Sequence, residues 1–179
     1  MEKIFLNLCR IVINARLKNK ESMLKIIAAI GKNNELGSAG GLPSWKLKTD
    51  MERFKKLTEG QTVVMGRKTF ESLPPKFRPL PNRENVVLTR DKNWQSEGVK
   101  VFDNLDDLTD FWLIGGGNIY QQFLHLADEL HITHVDGEFP ADTFFPFIDE
   151  DLWVPKHEEE IPKDSENSHR SVYVVYKKI

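Results

Sequence analysis

Asp50 is the side chain whose neighbours in the sequence most clearly predict chemistry. We expect a helix that opens with residues 41–45 and whose apolar face consists of Leu47, Met51 and Phe54. Asp50 then lies at the edge of that face. A carboxylate in such a position must be paired, protonated or used for a function. An isolated aspartate there is usually a partly exposed acid bonded to nearby backbone. The other motifs of the chain must therefore show whether Asp50 is structural or functional.

Two predicted strand-to-helix junctions carry groups that bind anions. Gly66, Arg67, Lys68 and Thr69 open a short helix directly after a buried strand, where free backbone N–H groups attract anions and the two cations reinforce them. After the next strand come Thr89 and Arg90. A hydroxyl and a guanidinium suit the additional phosphate that distinguishes NADPH from NADH.

A third junction contains Gly115, Gly116 and Gly117, which let the backbone approach a pyrophosphate closely before a helix begins. Their spacing is not the dinucleotide fingerprint of the Rossmann fold. Each junction is a weak signal alone. Because all three follow strands, at the sheet edge where this class of fold binds ligands, together they favour a long cofactor with several phosphates.

The elements that must position these residues alternate between strands and helices. Strands are predicted over residues 24–30, 62–65, 86–89, 99–102, 111–114, 129–135, 152–161 and 170–178. Short helices are predicted over residues 67–73 and 118–127, and after a cap at Asp103 or Asn104. This pattern predicts an α/β fold with a single, mainly parallel twisted sheet of about eight strands, flanked by helices, with an antiparallel pair at its C-terminal edge.

Composition narrows the classes of function. A chain of 179 residues with a formal charge of -2 is most simply one domain and gives no reason to expect a nucleic-acid partner. The single cysteine, Cys9, cannot form an internal disulfide, which fits the reducing cytoplasm. No segment is long and apolar enough to span a membrane, and no pattern indicates an interface, so we expect a cytoplasmic monomer.

Residues 1–22 differ from the rest of the chain, with five basic residues against two acidic ones and apolar residues at helical spacing. They are interpreted as an N-terminal extension, and residues 23–179 as the functional domain. The extension fits a surface-binding amphipathic helix, a transit peptide or a dispensable tail from an upstream start. Met23 directly precedes the first strong strand, which favours the last interpretation.

The order of several motifs closely resembles bacterial-type dihydrofolate reductase, from about Met23 to the C-terminus. The matching motifs are the run Leu42 to Trp45 with Asp50 and Phe54, the runs Val64 to Thr69 and Arg78 to Arg83, and the run Ile114 to Gly117 with Tyr120. The resemblance implies reduction of 7,8-dihydrofolate to tetrahydrofolate by NADPH, which supplies one-carbon metabolism and thymidylate and purine synthesis.

The resemblance assigns roles to individual residues. Asp50 would hold the pterin, Trp45 would hold a water near the reacting ring, and Thr133 would bond Asp50 and the pterin amino group. Arg83 would pair with the α-carboxylate of the glutamate tail, and Leu73 would pack on the aminobenzoyl ring. The implied substrate contacts are Ile27, Ala28, Asp50, Phe54, Leu73, Arg83, Ile114, Tyr120 and Thr133.

The implied cofactor site spans all three glycine-containing or cationic junctions and the segment from Gly37 to Leu42, a mobile loop in the family. The implied contacts are Ala29, Gly37, Leu42, Gly66, Arg67, Lys68, Thr69, Leu88, Thr89, Arg90, Ile114, Gly115, Gly116, Gly117, Asn118 and Ile119. Asn118 stands where the family often has a basic residue. Preference for NADPH would therefore depend mainly on Arg67, Lys68 and Arg90.

Two other functions are compatible with this sheet. A reductase of another heterocycle, such as those of riboflavin synthesis, is disfavoured by Asp50 and Arg83, and a non-catalytic pterin-binding protein is disfavoured by the presence of Trp45 and Thr133. A metal site at His131 and His134 is rejected, because a spacing of three residues in a strand places the two side chains on opposite faces.

Overall fold

The computed structural model describes residues 22–38, 41 and 44–179. Its strands are β1 (Leu24–Ile30), β2 (Glu35–Gly37), β3 (Thr62–Gly66), β4 (Glu84–Leu88), β5 (Val99–Phe102), β6 (Phe111–Leu113), β7 (Glu129–Val135), β8 (Thr143–Phe144), β9 (Trp153–Ile161) and β10 (Ser171–Lys178). Its helices are α1 (Lys48–Thr58), α2 (Arg67–Ser72) and α3 (Gly117–Phe123), with 3₁₀ turns at Pro75–Phe77 and Leu124–Leu126. Apart from Ser22, the predicted N-terminal extension lies outside the described residues, as does Leu42.

Eight strands form one sheet in the order β5-β4-β3-β6-β1-β7-β10-β9. The six strands from β5 to β7 are mutually parallel, whereas β10 runs antiparallel to both β7 and β9. The predicted fold class and antiparallel edge pair are therefore confirmed. The apolar run of β1 follows from its place at the sheet centre, where side chains on both faces are covered.

The two faces of the sheet are covered by different elements. On one face Ile27, Met65 and Trp112 form a buried cluster with Phe70 of α2, against which Phe54 of α1 packs. The opposite face carries a larger cluster that includes residues of α3. A separate antiparallel pair of β2 and β8 had no counterpart in the sequence prediction, because strands of two or three residues are too short to show a period.

The prediction for α1 is wrong about where the helix begins and about one residue of its apolar face. The helix begins at Lys48, and Met51 is 48% exposed. The apolar residues of α1 that pack on the core are in its second half, where Phe54 and Leu57 contact the buried cluster and Thr58 is fully buried. Met51, one turn before the first of these contacts, is left at the surface.

The predicted helix after β5 does not form. Residues 103–110 make turns instead, and Asn104 Oδ1 accepts a hydrogen bond from the backbone N–H of Asp106 at 3.0 Å. Short polar side chains that bond neighbouring backbone in this way compete with a helix, and only Leu105 in this segment is buried. The other predicted helix, over 118–127, ends at Phe123 and continues as the 3₁₀ turn.

Asn85 attaches the loop before β4 to the core. Its side chain is buried, and its Oδ1 accepts from the backbone N–H of Leu80 while its Nδ2 donates to the carbonyl oxygens of Leu80 and Arg83. One side chain thus satisfies three backbone groups of the loop that carries Arg83.

Asn85→Ala is expected to lower the free energy of unfolding by about 2–3 kcal/mol, because those backbone groups lose their partners inside the protein. Urea denaturation followed by circular dichroism measures the loss. Asn93→Ala, at an exposed position, is the control and should change stability by no more than about 0.5 kcal/mol. Equal, small losses for the two variants would contradict the anchoring role of Asn85.

Candidate active site

The carboxylate of Asp50 is held against the centre of the sheet by a single described partner. Thr133 of β7, which is 1% exposed, donates its hydroxyl to Asp50 Oδ1 at 2.6 Å. Burial raises the pKa of Asp50, and the Thr133 hydrogen bond and the positive charge of Arg53 oppose that increase. The site therefore contains a desolvated carboxylate whose protonation depends on its neighbours.

The N-terminus of α1 is fixed by a residue that the sequence reasoning did not identify. Asn167, in the loop before β10, is buried, and its Oδ1 accepts from the backbone N–H of Thr49 at 3.2 Å. Its Nδ2 donates to Thr49 Oγ1 at 3.1 Å. Because Asn167 bonds the residue directly before Asp50, it determines where the helix places the carboxylate. The two partners are 118 positions apart, so no local pattern could reveal the contact.

Trp45 lies just before α1 and packs edge-on against Phe139, with the ring centroids 4.7 Å apart. The backbone N–H of Phe139 donates in turn to the buried carboxylate of Glu35, which also accepts from the backbone N–H of Asn33. Burial acts to raise the pKa of Glu35, but these backbone hydrogen bonds outweigh it and lower the pKa. Glu35, which the sequence reasoning also missed, organises the loop against which Trp45 rests.

The predicted substrate residues fall on both faces of the sheet. Phe54, Leu73 and Ile114 pack against the cluster that contains Ile27, on the same face as α1. Ala28 and Tyr120 belong to the opposite cluster. The two groups are nevertheless joined, because the Tyr120 hydroxyl donates to the backbone carbonyl of Ile27 at 2.7 Å.

Arg83 is held at the far end of α1. Its Nε donates to Thr58 Oγ1 at 2.8 Å, and its terminal nitrogens donate to the backbone carbonyls of Lys55 and Pro81. These bonds to described residues use three of the five N–H groups of a guanidinium. One N–H on each terminal nitrogen remains, so the guanidinium keeps donors with which to bind a carboxylate.

Asp50, Phe54 and Thr58 are spaced by four residues and lie along one side of α1. Phe54 lies between the carboxylate and the guanidinium, with the Arg83 guanidinium carbon 5.7 Å from its ring centroid. From Asp50 to Thr58 the helix rises by about 12 Å. An acid, an aromatic ring and an arginine held by Thr58 therefore follow one another along the helix. This order suits an elongated ligand with a hydrogen-bonding ring at one end and an acid at the other.

The three predicted anion junctions are neighbours in the structure. They follow β4, β3 and β6, which are adjacent in the sheet, and the backbone N–H of Gly66 donates to the carbonyl of Gly115 at 2.8 Å. Gly115 has φ of +123°, a conformation that favours glycine. A Cβ at Gly116 would lie only 2.9 Å from Thr69 Oγ1. The Gly66 and Gly115 junctions are therefore in direct contact, and a side chain at position 116 would not fit between them.

The junctions after β3 and β4 carry cations and hydroxyls. Arg67 Nη1 pairs with Asp91 at 3.0 Å, Thr89 Oγ1 accepts from the backbone N–H of Asp91, and Lys68 and Arg90 are exposed. This set of donors fits a cofactor with phosphates, as the residues of the junctions predict. The remaining predicted cofactor residues with described positions are Ala29, paired in register with Thr133; Gly37, paired with Thr143; Leu88 and Ile119, both buried; and Asn118, exposed at the start of α3.

His131 and His134 lie on opposite faces of β7, as their spacing predicts: His131 bonds the hydroxyl of Tyr173, and His134 bonds that of Tyr176. Within the described part of the chain, no group of three or more histidine, cysteine or acidic side chains could hold a metal ion. No helix in that same part combines the length and the apolar character needed to cross a membrane.

Comparison with known proteins gives consistent matches. A family model described as dihydrofolate reductase matches residues 23–178. The chain is 39% identical over 159 residues to dihydrofolate reductase type 3 of Salmonella typhimurium, a match that covers 85% of this chain and 96% of that protein. It is 36% identical over 163 residues to the dihydrofolate reductase of Bacillus subtilis (strain 168), covering 87% and 95% of the two chains.

A solved structure of similar shape is the dihydrofolate reductase from Enterococcus faecalis complexed with NADP(H) and RAB-propyl. Its TM-score is 0.79 at 34% sequence identity, and the match covers 87% of this chain and 96% of that one.

Thr133→Val, which keeps the side-chain shape but removes the hydroxyl, is expected to raise the pKa of Asp50 further. The carboxylate stays desolvated and loses a hydrogen bond that favours its charged form. Carbon-13 NMR of labelled aspartate carboxyls, titrated with pH, measures the change. Thr133→Ser keeps the donor and should titrate close to the original protein, and an unchanged titration in the valine variant would count against the bond.

Proposed function

Because the chain belongs to the dihydrofolate reductase family, we propose that its reaction is the NADPH-dependent reduction of 7,8-dihydrofolate to 5,6,7,8-tetrahydrofolate at the site between Asp50 and the glycine junction. The observation that carries this site is the Asp50 carboxylate, withdrawn from solvent and bonded by Thr133. Thr133 lies near the carboxyl end of β7, and the three anion junctions follow the carboxyl ends of β3, β4 and β6 in the same parallel set.

Asp50 anchors the pterin ring in this proposal. An ionised carboxylate accepts two parallel hydrogen bonds, here from the 2-amino group and the adjacent ring nitrogen. Thr133 already donates its proton to Asp50, so its oxygen keeps lone pairs with which to accept from the same amino group. This arrangement fixes the ring orientation, and the rigid sheet behind Thr133 holds it in place.

Reduction also requires a proton at N5 of the pterin, on the side of the ring away from the anchored groups. Asp50 cannot reach that atom while it holds the opposite edge. A water near the Trp45 indole can deliver the proton, and the negative charge of Asp50 raises the proton affinity of the bound ring. Trp45 is held for this purpose by its edge-on contact with Phe139.

The bound nicotinamide cofactor supplies the hydride for C6 of the pterin. The chain's own residues bind and orient it. The backbone N–H groups at the glycine junction, where no side chain stands between backbone and ligand, accommodate the pyrophosphate. Arg67, Lys68 and Arg90 provide positive charge for the phosphate that NADH lacks.

The remaining part of the substrate follows α1. Phe54 packs on the pterin, Leu73 packs on the aminobenzoyl ring, and Arg83 pairs with the α-carboxylate of the glutamate through its two remaining terminal N–H groups. We propose that the protein works in the cytoplasm as a monomer. The single cysteine fits the reducing cytoplasm. Light scattering tests the oligomeric state, and a stable dimer would contradict that part of the proposal.

The direct test is the loss of NADPH absorbance in the presence of dihydrofolate, with NADH as the comparison. The proposal expects a signal that requires both substrates and is faster with NADPH. Oxidation that is independent of dihydrofolate, or absent altogether, would overturn the assigned reaction.

Asp50→Asn is expected to slow hydride transfer at pH 7 by about 100-fold or more, because a neutral amide neither accepts the bidentate pair nor raises the proton affinity of the ring. Part of the rate should return in acid, where solution protonates the substrate. Stopped-flow measurement across pH gives both results. Unchanged turnover at neutral pH would refute the role of Asp50.

Arg83→Ala is expected to weaken binding of dihydrofolate by roughly 30- to 150-fold, the equivalent of about 2–3 kcal/mol for a charged bidentate contact. A pterin without a glutamate tail should bind almost as well as before. Fluorescence titration measures both affinities. Arg170→Ala, which removes an exposed arginine paired with Glu160 at the sheet edge, is the matched control. Equal losses for the two ligands would exclude the tail contact.

A further inference from the structure

Arg53 lies one turn after Asp50 on α1 and contacts the next strand of the sheet. Asp50 bonds Thr133 of β7, and the Arg53 guanidinium lies 4.0 Å above the ring of Tyr173 of β10. Thr133 and Tyr173 are register partners, and Tyr173 is in turn the register partner of Glu159 on β9. The two α1 side chains thus sit side by side over one row of residues that crosses three strands.

The charge of Arg53 is buried and incompletely paired. Its side chain is 13% exposed, and Nη2 donates to Glu159 at 2.8 Å, but the Glu159 side chain is 49% exposed and therefore partly screened by water. Nη1 is buried and has no hydrogen-bond partner among the described residues. A cation held in this way costs free energy that an apolar side chain of similar size would avoid. Stability alone does not explain an arginine at this position.

The groups that face Arg53 and Asp50 come from several elements. The titratable or charged side chains are Glu52 and Lys56 of α1, Glu129 and His131 of β7, His157 and Glu159 of β9, Tyr173 of β10 and Tyr120 of α3. Glu129 pairs with Lys177 at 2.9 Å, so its charge is compensated locally. Burial lowers the pKa of His131, which favours its neutral form. Burial raises the pKa of Tyr173 to about 12, which keeps the phenol neutral under the guanidinium. Arg53 is therefore the cation of this group that acts on Asp50.

We propose that Arg53 is a positioning residue that favours the ionised form of Asp50 and thereby sets the pH range in which the bound pterin is reduced. The statement about the pH range of pterin reduction rests on the proposed function, whereas the effect of Arg53 on Asp50 does not. Arg53 touches neither substrate nor cofactor in this account; it acts on them through Asp50. Because Asp50 and the bound pterin titrate as a coupled pair, removing a nearby positive charge raises the proton affinity of the pair, whichever member carries the proton.

The test compares three variants of the full chain. Arg53→Met removes the charge and keeps most of the side-chain volume, Arg53→Lys keeps a charge at the same place, and Glu159→Gln removes the counter-charge. The first readout is the carbon-13 NMR titration of Asp50 in the ligand-free protein. The second is the pH at which the hydride-transfer rate falls to half of its value in acid, measured by stopped flow.

The proposal expects both midpoints to move to higher pH in Arg53→Met, so that this variant transfers hydride faster than the original protein on the alkaline side of the profile. Arg53→Lys keeps the positive charge, so both of its midpoints should lie close to those of the original protein. Glu159→Gln should move the midpoints to lower pH, because the guanidinium then lacks its counter-charge. If the ion pair had a purely structural role, Arg53→Met and Glu159→Gln would shift the two midpoints in the same direction.

An unchanged Asp50 titration in Arg53→Met, or shifts of the same sign in Arg53→Met and Glu159→Gln, would overturn the proposal. So would a changed titration with an unchanged rate profile. If the original protein shows no dihydrofolate-dependent oxidation of NADPH, the proposed function fails, whereas the ligand-free titration still decides whether Arg53 controls Asp50.

Discussion

The desolvation of one carboxylate is the constraint to which the rest of the site responds. Burial raises the pKa of Asp50 above its value in the unfolded chain. Its contribution to stability is therefore fully present below the unfolded pKa and is lost as pH rises through the folded pKa. In its ionised form the carboxylate weakens the fold, and the Thr133 hydrogen bond and the Arg53 charge reduce that penalty. The fold accepts a loss of stability at the place where a charged acceptor is useful.

Helix α1 places the Asp50 carboxylate at one end of a row of candidate ligand-binding groups that ends at Arg83. Asn167 fixes its first turn, and Thr58 in its last turn supports the Arg83 guanidinium. Phe54 lies between Asp50 and Thr58, one helical turn from each of them. The distance between the acid and the arginine is thus set by helical geometry and not by a flexible loop. The same helix buries its second half on the sheet, so binding and folding share one element.

The sequence predicted the features that depend on local pattern. The bounds of β1 and β7 follow from apolar runs that parallel strands require, and the junction at Gly115 follows from glycine chemistry. Contacts between distant segments were not predictable: Asn167 meets the start of α1 from 118 positions away. The exposure of Met51 depends on how α1 packs against the rest of the protein, which helical periodicity alone does not contain.

The most direct measurement is a crystal structure of the full chain with oxidised NADP and folate bound together. The account predicts that both carboxylate oxygens of Asp50 lie within hydrogen-bond distance of the 2-amino group and the neighbouring ring nitrogen of the pterin. It also predicts that the cofactor phosphates are bound by the junctions that contain Gly115, Gly116 and Arg67. A pterin held by other residues, with the Asp50 carboxylate bonded only to protein or water, would contradict it.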